Sequence, residues 1–205
     1  MDFIYERFRL PCGVKIEEVT GGNRYKGKVW QQIAFQIYCE NGRDGYRELG
    51  HFQSGAPFIY GADERISVSH TDGMLVVATL SVEPEANLQD FSPQTALGVD
   101  VEKADREKVI NLRQRFLSER ELSMVDSESP EENITAWTCK EAMLKAGMNP
   151  AIDWHHDIQI TTLPKPDREG KGYIVLEGER YNFKLISFRS EDYIITVALS
   201  ESSVC

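Results

Sequence analysis

Residues 97–102 read Leu-Gly-Val-Asp-Val-Glu, so apolar side chains alternate with small or acidic ones. Successive side chains of a β-strand point to opposite faces, and this alternation therefore predicts a strand with one apolar face. Asp100 and Glu102 share the other face, where two carboxylates repel each other unless a cation or solvent screens them. The stretch predicts a core strand that carries a pair of acidic groups.

Two helical segments follow this strand. Residues 106–125 place apolar side chains among charges with helical spacing, and we expect a break near Ser118. A second helix is predicted from Pro130 to Lys145, because proline favours the first turn of a helix and Gly147 stands just beyond the expected end.

The second helix gathers three polar or aromatic side chains on one face. Trp137, Glu141 and Lys145 recur every four residues and so lie one above the other. A hard cation such as Mg²⁺ prefers carboxylate oxygens and keeps positions for water and phosphate. Each pattern also has an ordinary alternative. Asp-x-Glu is often a solvated strand face, Glu four before Lys is often a surface ion pair, and a single His70 is more often a hydrogen-bonding residue than a ligand.

Strand signals lie on both sides of the helical segments. The ranges rich in β-branched and aromatic residues are 29–38, 66–69, 74–82, 158–162, 173–177, 181–188 and 193–199. Thr71-Asp72-Gly73 is a turn signal between two of them and predicts a hairpin. The fold class expected from these patterns is α+β.

A weak internal repeat bears on the architecture. Residues 65–81 and 184–200 align without a gap, hydrophobic against hydrophobic after the turn. Any two hairpins share such a pattern, so the alternatives are a general likeness and two related halves. Because residues 83–93 are polar and contain proline, we expect a loop there that divides residues 1–92 from residues 93–205.

Composition limits the classes of function. The chain has 205 residues, 41% hydrophobic and 27% charged, which is typical of a folded protein of one or two small domains. Its net charge of −10 repels nucleic acids and anionic membranes. The four cysteines are far apart without a C-x-x-C pair, and no apolar run is long enough for a signal or membrane segment, so we expect a cytoplasmic protein.

The segment from Lys103 to Arg120 departs from this acidic balance. It contains six basic and three acidic residues and so carries a local charge of +3. The segment is a candidate surface for an acidic partner, since complementary charge orients an encounter. The alternative is a solvated helix of mixed charge.

Three segments carry a more specific signal when they are taken in chain order. They are Ile66-Ser67-Val68-Ser69-His70-Thr71, the strand at residues 97–102, and Trp137-Thr138-Cys139-Lys140-Glu141-Ala142-Met143-Leu144-Lys145. Together they closely resemble the signature motifs of the Sfp-type 4′-phosphopantetheinyl transferases, and W-x-x-K-E-A-x-x-K is the most specific of them. Residues 116–121, Phe-Leu-Ser-Glu-Arg-Glu, are similar to a further stretch of that family, so the resemblance covers roughly residues 50–200.

The resemblance implies a fold and an activity. Such enzymes consist of two similar α+β halves packed as a pseudo-dimer, with coenzyme A bound between them. They transfer the 4′-phosphopantetheine group from coenzyme A to a serine of an apo acyl or peptidyl carrier protein, depend on Mg²⁺, and release 3′,5′-ADP. The expected partners are therefore coenzyme A and an acidic carrier protein, and neither nucleic acid nor a membrane is expected.

The resemblance also assigns a metal site and catalytic groups. Asp100, Glu102 and Glu141 are expected to hold Mg²⁺ against the coenzyme A pyrophosphate. Glu141 is expected to act, directly or through water, as the base on the carrier-protein serine. Lys145 is expected to stabilise or protonate the leaving phosphate.

Further residues are expected to bind coenzyme A. By the same resemblance, Lys140, Lys145 and His70 contact its phosphates, and Ser69 helps to place the nucleotide. The chain departs from the family at Gly55-Ala56-Pro57, because Ala56 replaces a lysine that binds the nucleotide end. Compared with the family, about a dozen extra residues also lie between His70 and Asp100.

Two rival functions remain open at this point. A homologue without transfer activity that binds a carrier protein or nucleotide is favoured by Ala56 and disfavoured by the intact set of acidic residues and Lys145. A metal-dependent nuclease shares an Asp followed by Glu-x-Lys. Here, however, the lysine lies four residues after the glutamate on a helix, and the chain is acidic.

Overall fold

A computed structural model describes residues 14–20, 49–83 and 91–202, the first range by its backbone alone. The strands are β1 Val14–Thr20, β2 Leu49–His51, β3 Pro57–Ile59, β4 Glu64–Thr71, β5 Met74–Ser81, β6 Leu97–Lys103, β7 Ile158–Thr162, β8 Gly170–Leu176, β9 Glu179–Ser190 and β10 Tyr193–Ser200. The helices are α1 Glu107–Asn111, α2 Arg113–Phe116, α3 Glu119–Met124 and α4 Pro130–Gly147. The expected mixture of sheets and helices is confirmed.

The strands form antiparallel sheets. One has the order β1-β5-β4, one has the order β6-β10-β9-β8-β7, and β2 pairs with β3. The three strands β1-β5-β4 and the three strands β6-β10-β9 therefore share the same order and the same antiparallel sense. The ungapped repeat of residues 65–81 and 184–200 corresponds to the hairpins β4–β5 and β9–β10. The pseudo-dimer packing and the boundary between residues 92 and 93 stay predictions.

The alternation in β6 separates an apolar face from an acidic one, as predicted. A hydrophobic core is shared by alternate residues of β5, β6, β9 and β10: Met74, Val76, Ala78, Leu80, Leu97, Val99, Val101, Ile186, Phe188, Ile195, Val197 and Leu199. The acidic face of β6 is turned towards α4, and Asp100 and Glu102 are both buried there.

Gly98 allows helix α4 to approach β6 closely. A Cβ at this position would lie 1.9 Å from the carbonyl oxygen of Ala142, closer than any atoms pack. The contact would be with helix backbone, which no side-chain rotation relieves. The small residue in the alternating stretch therefore determines how near the helix lies to the acidic pair.

Hydroxyl groups join β4 to β6 side by side. Ser67 Oγ accepts a hydrogen bond from the backbone N–H of Val99 at 3.0 Å, and Ser69 Oγ accepts one from Val101 at 3.3 Å. These serines alternate along β4 and so point to the same neighbour. The joint places the Ser-Val-Ser-His segment beside the acidic strand.

The helices differ in detail from the sequence prediction. The break at Ser118 is confirmed, since Ser118 caps α3 in a capping box with Glu121. The predicted helix is also interrupted at Leu112, which separates α1 from α2. Helix α4 includes Gly147, and the left-handed residue that ends it is Met148 (φ 53°).

The later strands agree with the prediction to within a few residues, and Gly73 (φ 89°) forms the turn between β4 and β5. The predicted strand at residues 29–38, the centre of the predicted loop at residues 84–90, and three of the four cysteines lie outside the described residues. Cys139 is a free, buried thiol. Among the described helices, none is long and apolar enough to cross a membrane.

Candidate active site

A cleft of about 630 Å³ lies along the joint between β4 and β6. Its walls come from β4, β6, the exposed turns of α4 and the loop at residues 54–57. Ser69, His70, Asp100, Glu141 and Lys145 all line it. Three segments that are far apart in the chain therefore meet at one place.

Asp100 has one oxygen in use and one free of partners. Its Oδ1 accepts hydrogen bonds from Ser69 Oγ at 2.7 Å and from Lys145 Nζ at 2.8 Å. Its Oδ2 is buried and has no hydrogen-bond partner in the described part of the chain. A buried carboxylate oxygen without a partner is costly, and a bound cation would satisfy it.

Lys145 uses its three N–H groups within the protein. Besides Asp100, its Nζ donates to Ser69 Oγ at 2.9 Å and to the carbonyl oxygen of Val99 at 3.0 Å. The lysine thus links α4 to both β4 and β6. It also places a positive charge on the floor of the cleft.

Glu102 is held by two neighbours. Arg106 donates to its Oε1, and Thr71 Oγ1 donates to its Oε2 at 3.2 Å. Burial and the nearby charge of Asp100 raise the pKa of Glu102, and Arg106 opposes this shift. Burial and the Asp100 charge therefore outweigh the opposing effect of Arg106 on this carboxylate.

Glu141 has no hydrogen-bond partner among the described residues. Burial, and then the negative charge of Asp100, raises its pKa to about 7, although Lys145 acts in the opposite direction. A carboxylate with such a pKa exchanges protons readily near neutral pH. Its position, four residues before Lys145 on the cleft face of α4, confirms the shared helix face.

The donor set fits a divalent cation. Within the described ranges, no three acidic, histidine or cysteine side chains already converge as a complete metal site. Even so, the unpartnered Asp100 Oδ2 and the free carboxylate of Glu141 are hard oxygen ligands in one cleft. Glu102 is a candidate third ligand, because each of its oxygens keeps a second lone pair beside its present hydrogen bond.

His70 stands exposed at the rim of the cleft. Partial burial, and then the positive charge of Lys145, lowers its pKa. The residue is therefore accessible to a ligand in the cleft, as its expected role requires. That role remains a prediction.

The expectation for Lys140 is wrong in this structure. Its side chain is fully buried, and its Nζ lies 2.8 Å from Glu121 Oε2. The same nitrogen donates to the backbone carbonyl oxygens of Trp154 (2.7 Å) and Ile158 (2.8 Å). Because this side chain is fully buried and does not line the cleft, Lys140 has no access to a phosphate there.

Trp137 lines the cleft and belongs to an aromatic cluster with Phe116 and Trp154. The ring of Trp137 lies 5.1 Å from that of Phe116, edge to face, and 5.0 Å from that of Trp154. The indole nitrogen of Trp137 is buried without a hydrogen-bond partner in the described residues. Spacing along α4 identified Trp137, but no sequence pattern connected it with Trp154.

Three polar residues of the site were missed by sequence reasoning. Arg106 and Arg65 line the cleft, and Thr71 binds Glu102. Thr71 follows Ser69 by two residues on the same strand, so strand spacing was a signal for Thr71. Arg106 lies beyond the end of β6, where neither a strand nor a helix period connects it with Glu102. Arg65 is buried, donates to Thr95 O and Oγ1, and has its pKa lowered to about 10 by burial. No spacing rule indicated Arg65.

The basic segment from Lys103 to Arg120 is less free than its charge implies. Lys103 pairs with Asp72, Arg106 with Glu102, and Arg113 donates to the carbonyl oxygens at the end of α3. The exposed basic residues that remain are Lys108, Arg115 and Arg120.

Comparison with known proteins agrees with this geometry. No curated protein matches the chain. The family model described as the 4′-phosphopantetheinyl transferase superfamily matches residues 96–198, which is half of the sequence and contains Asp100, Glu102, Glu141 and Lys145. With these residues gathered in one cleft, the chain belongs to the 4′-phosphopantetheinyl transferase superfamily.

Proposed function

We propose that this protein transfers 4′-phosphopantetheine from coenzyme A to a serine of an apo acyl or peptidyl carrier protein and releases 3′,5′-ADP. The observation that carries the proposal is the meeting of Asp100, Glu141 and Lys145 with Ser69 and His70 in one cleft. Superfamily membership supports phosphopantetheine transfer in general. The assignment to the Sfp type, and the choice of a carrier protein as the acceptor, are supported by the motifs and by this cleft.

The acidic residues would hold Mg²⁺, with Asp100 Oδ2 and Glu141 as the open ligands and Glu102 as the third. When bound, the cation neutralises charge on the phosphoryl group under attack and on the leaving group. Ser69 and Lys145 hold Asp100 through its Oδ1, which leaves Oδ2 without a partner among the described residues. This bonding keeps the carboxylate in place before substrate arrives.

The remaining groups move a proton and bind phosphate. Glu141 accepts the proton of the carrier serine hydroxyl, directly or through water, and its pKa of about 7 suits this transfer. The serine oxygen attacks the phosphorus that bears the pantetheine arm, and the bond to the 3′,5′-ADP oxygen breaks. Lys145 stabilises the departing phosphate, and His70 binds a coenzyme A phosphate at the rim of the cleft.

Mass spectrometry of candidate apo carrier proteins tests the proposal. After incubation with enzyme, coenzyme A and Mg²⁺, we expect the mass of the carrier to rise by one phosphopantetheine. Asp100→Asn and Glu141→Gln should each reduce the rate by roughly a hundredfold or more, because each removes a group that acts in the transition state. Coenzyme A binding without a gain in mass across a broad set of carriers would support the inactive homologue instead.

A further inference from the structure

Arg106 is a second cation at the acidic cluster, and the chemistry proposed above assigns it no role. It lies just after β6, and its guanidinium donates to Glu102 Oε1. The other oxygen of Glu102 accepts from Thr71 at 3.2 Å. Both oxygens of Glu102 are therefore occupied, whereas Asp100 Oδ2 is open.

A divalent cation and Arg106 compete for the same carboxylate. Each oxygen of Glu102 keeps a second lone pair beside its hydrogen bond, but a positive guanidinium at this carboxylate and a cation bound there repel each other. The Thr71 hydroxyl is neutral and rotates freely, so it is not repelled in this way. The bond that opposes cation binding is the one from Arg106.

The surroundings of Arg106 allow its side chain to move. Its backbone N–H donates to the carbonyl oxygen of Lys103 at 3.2 Å, which fixes the main chain. Its side chain is 40% exposed and lines the same cleft as Lys145 and His70, so the guanidinium has room to rotate away from Glu102 within that cleft. Guanidinium groups bind phosphate through paired N–H donors.

We propose that Arg106 exchanges Glu102 for a substrate phosphate: it holds Glu102 while the cation is absent, and cation binding releases it to bind an anionic phosphate in the same cleft. The inference rests on the proposed cation site and adds a residue that couples cation binding to phosphate binding. Because coupling between two sites is reciprocal, each ligand then strengthens the binding of the other.

Binding of Mn²⁺ alone tests the first half of the exchange. Electron paramagnetic resonance of free Mn²⁺ measures its affinity for the wild-type protein, Arg106→Gln and Lys108→Gln. We expect Arg106→Gln to bind Mn²⁺ about fivefold more tightly, the fold-change that corresponds to about 1 kcal/mol for a partly exposed ion pair. Lys108 is an exposed cation on the adjacent helix, so Lys108→Gln controls for a general loss of positive charge and should leave the affinity unchanged.

Binding of 3′,5′-ADP tests the second half. This probe carries phosphates without a pyrophosphate and chelates Mn²⁺ weakly. Calorimetry should show that Mn²⁺ strengthens its binding to the wild-type protein and to Lys108→Gln, but not to Arg106→Gln. Arg106→Lys keeps the positive charge but loses the paired N–H donors of the guanidinium. In this variant Mn²⁺ should strengthen 3′,5′-ADP binding to an intermediate degree.

Two results would overturn the exchange. One is an Mn²⁺ affinity of Arg106→Gln that equals or falls below that of the wild-type protein. The other is an effect of Mn²⁺ on 3′,5′-ADP binding that is equal in the wild-type protein and in Arg106→Gln. Neither measurement involves a carrier protein, so failure to modify any carrier would refute the proposed function and leave this inference standing.

Discussion

The acidic and basic side chains in the cleft partly offset one another's charge. Burial, and then the charge of Asp100, raise the pKa of Glu102 and of Glu141, and Arg106 acts against both shifts. The pKa of Glu141 rises to about 7, although Lys145 also acts against it, and its carboxylate has no hydrogen bond among the described residues. Its charge is therefore a stability cost that a bound cation would remove.

The raised pKa of Glu141 predicts a pH-dependent stability. Its folded-state pKa of about 7 lies above the unfolded value of about 4.3. Its contribution to the free energy of unfolding is therefore fully present at pH values below that unfolded pKa. The contribution is lost as the pH rises through 7. In EDTA, Glu141→Gln should therefore match the wild-type protein near pH 4 and be the more stable of the two at pH 8.

Urea unfolding at both pH values measures this difference. Glu169→Gln, at an exposed position, is the matched control and should show no such pH effect. A gap between Glu141→Gln and wild type that is the same at both pH values would contradict the prediction.

Ala56 offers a second test at the scale of one residue. It lines the cleft in the loop at residues 54–57, where the resembling family has a lysine. Ala56→Lys should lower the KM for coenzyme A, since a well-formed ionic hydrogen bond contributes about 1.5–3 kcal/mol and an exposed one less. Ala56→Gln adds a polar chain without the charge and should leave KM nearly unchanged. Equal KM values for the lysine and glutamine variants would exclude a phosphate contact here.

At the scale of elements, a buried ion pair ties helices α3 and α4 to the start of β7. Glu121 Oε2 binds Lys140, and Glu121 Oε1 accepts the backbone N–H of Ile160 at 2.7 Å. Lys140 in turn binds the carbonyl oxygen of Trp154, whose ring contacts Trp137 in the cleft. The ion pair therefore helps to hold Trp154 in place against Trp137.

Removal of one partner of this pair should be costly. Lys140→Met leaves Glu121 as a buried, unpaired charge, which typically costs about 3–5 kcal/mol of unfolding free energy. The double variant Lys140→Met with Glu121→Gln has no buried charge and keeps an acceptor for Ile160, so it should recover most of the loss. Denaturant unfolding of both variants measures this. A double variant no more stable than Lys140→Met would show that packing, and not charge, accounts for the loss.

At the scale of the whole molecule, the β4–β5 hairpin contacts the five-stranded sheet through both apolar packing and hydrogen bonds. Apolar residues of β5 and β6 share one core, and the hydroxyls of β4 satisfy backbone N–H groups of β6. The cleft lies along this joint, so the site exists only when both parts are in place.

Ser67 tests how much this joint contributes. Ser67→Ala leaves the buried N–H of Val99 without its acceptor, which should cost about 1–3 kcal/mol. Ser123→Ala removes an exposed hydroxyl that bonds within its own helix and should cost much less. Urea unfolding compares the two variants. If both lose the same small amount, the hydroxyl joint does not hold the parts together.

The exposed basic residues predict how the proposed carrier protein docks. Arg115 and Arg120 are exposed, whereas Arg113 is bonded to the end of α3. Arg115→Glu with Arg120→Glu should raise the KM for the carrier roughly tenfold and leave that for coenzyme A unchanged. The effect should shrink in salt, because the Debye length falls from ~10 Å at 0.1 M to ~3 Å at 1 M.

Steady-state kinetics at two salt concentrations measure this effect. Arg168→Glu, at an exposed position in another part of the sequence, is the control. Equal losses for both substrates would argue against docking at this surface.

Local patterns account for most of the elements. Alternation in residues 97–102 predicted a strand with an acidic face, and four-residue spacing placed Trp137, Glu141 and Lys145 on one helix face. Both are properties of a period of 2.0 or 3.6 residues, which the chain carries whatever packs around it. The break at Leu112 was missed because apolar spacing continues across it.

The sequence by itself determined the acidic pair, its partner helix and the family that these motifs resemble. Only the tertiary structure decided which neighbouring charges reach the cleft. Lys140 and Glu141 are adjacent in the chain, yet a helix turns successive residues by about 100°, so one is paired with Glu121 in the interior and the other lines the site. Thr71 and Ser69 meet the carboxylates across distances in sequence that no local period encodes, because the packing of β4 beside β6 brings them together.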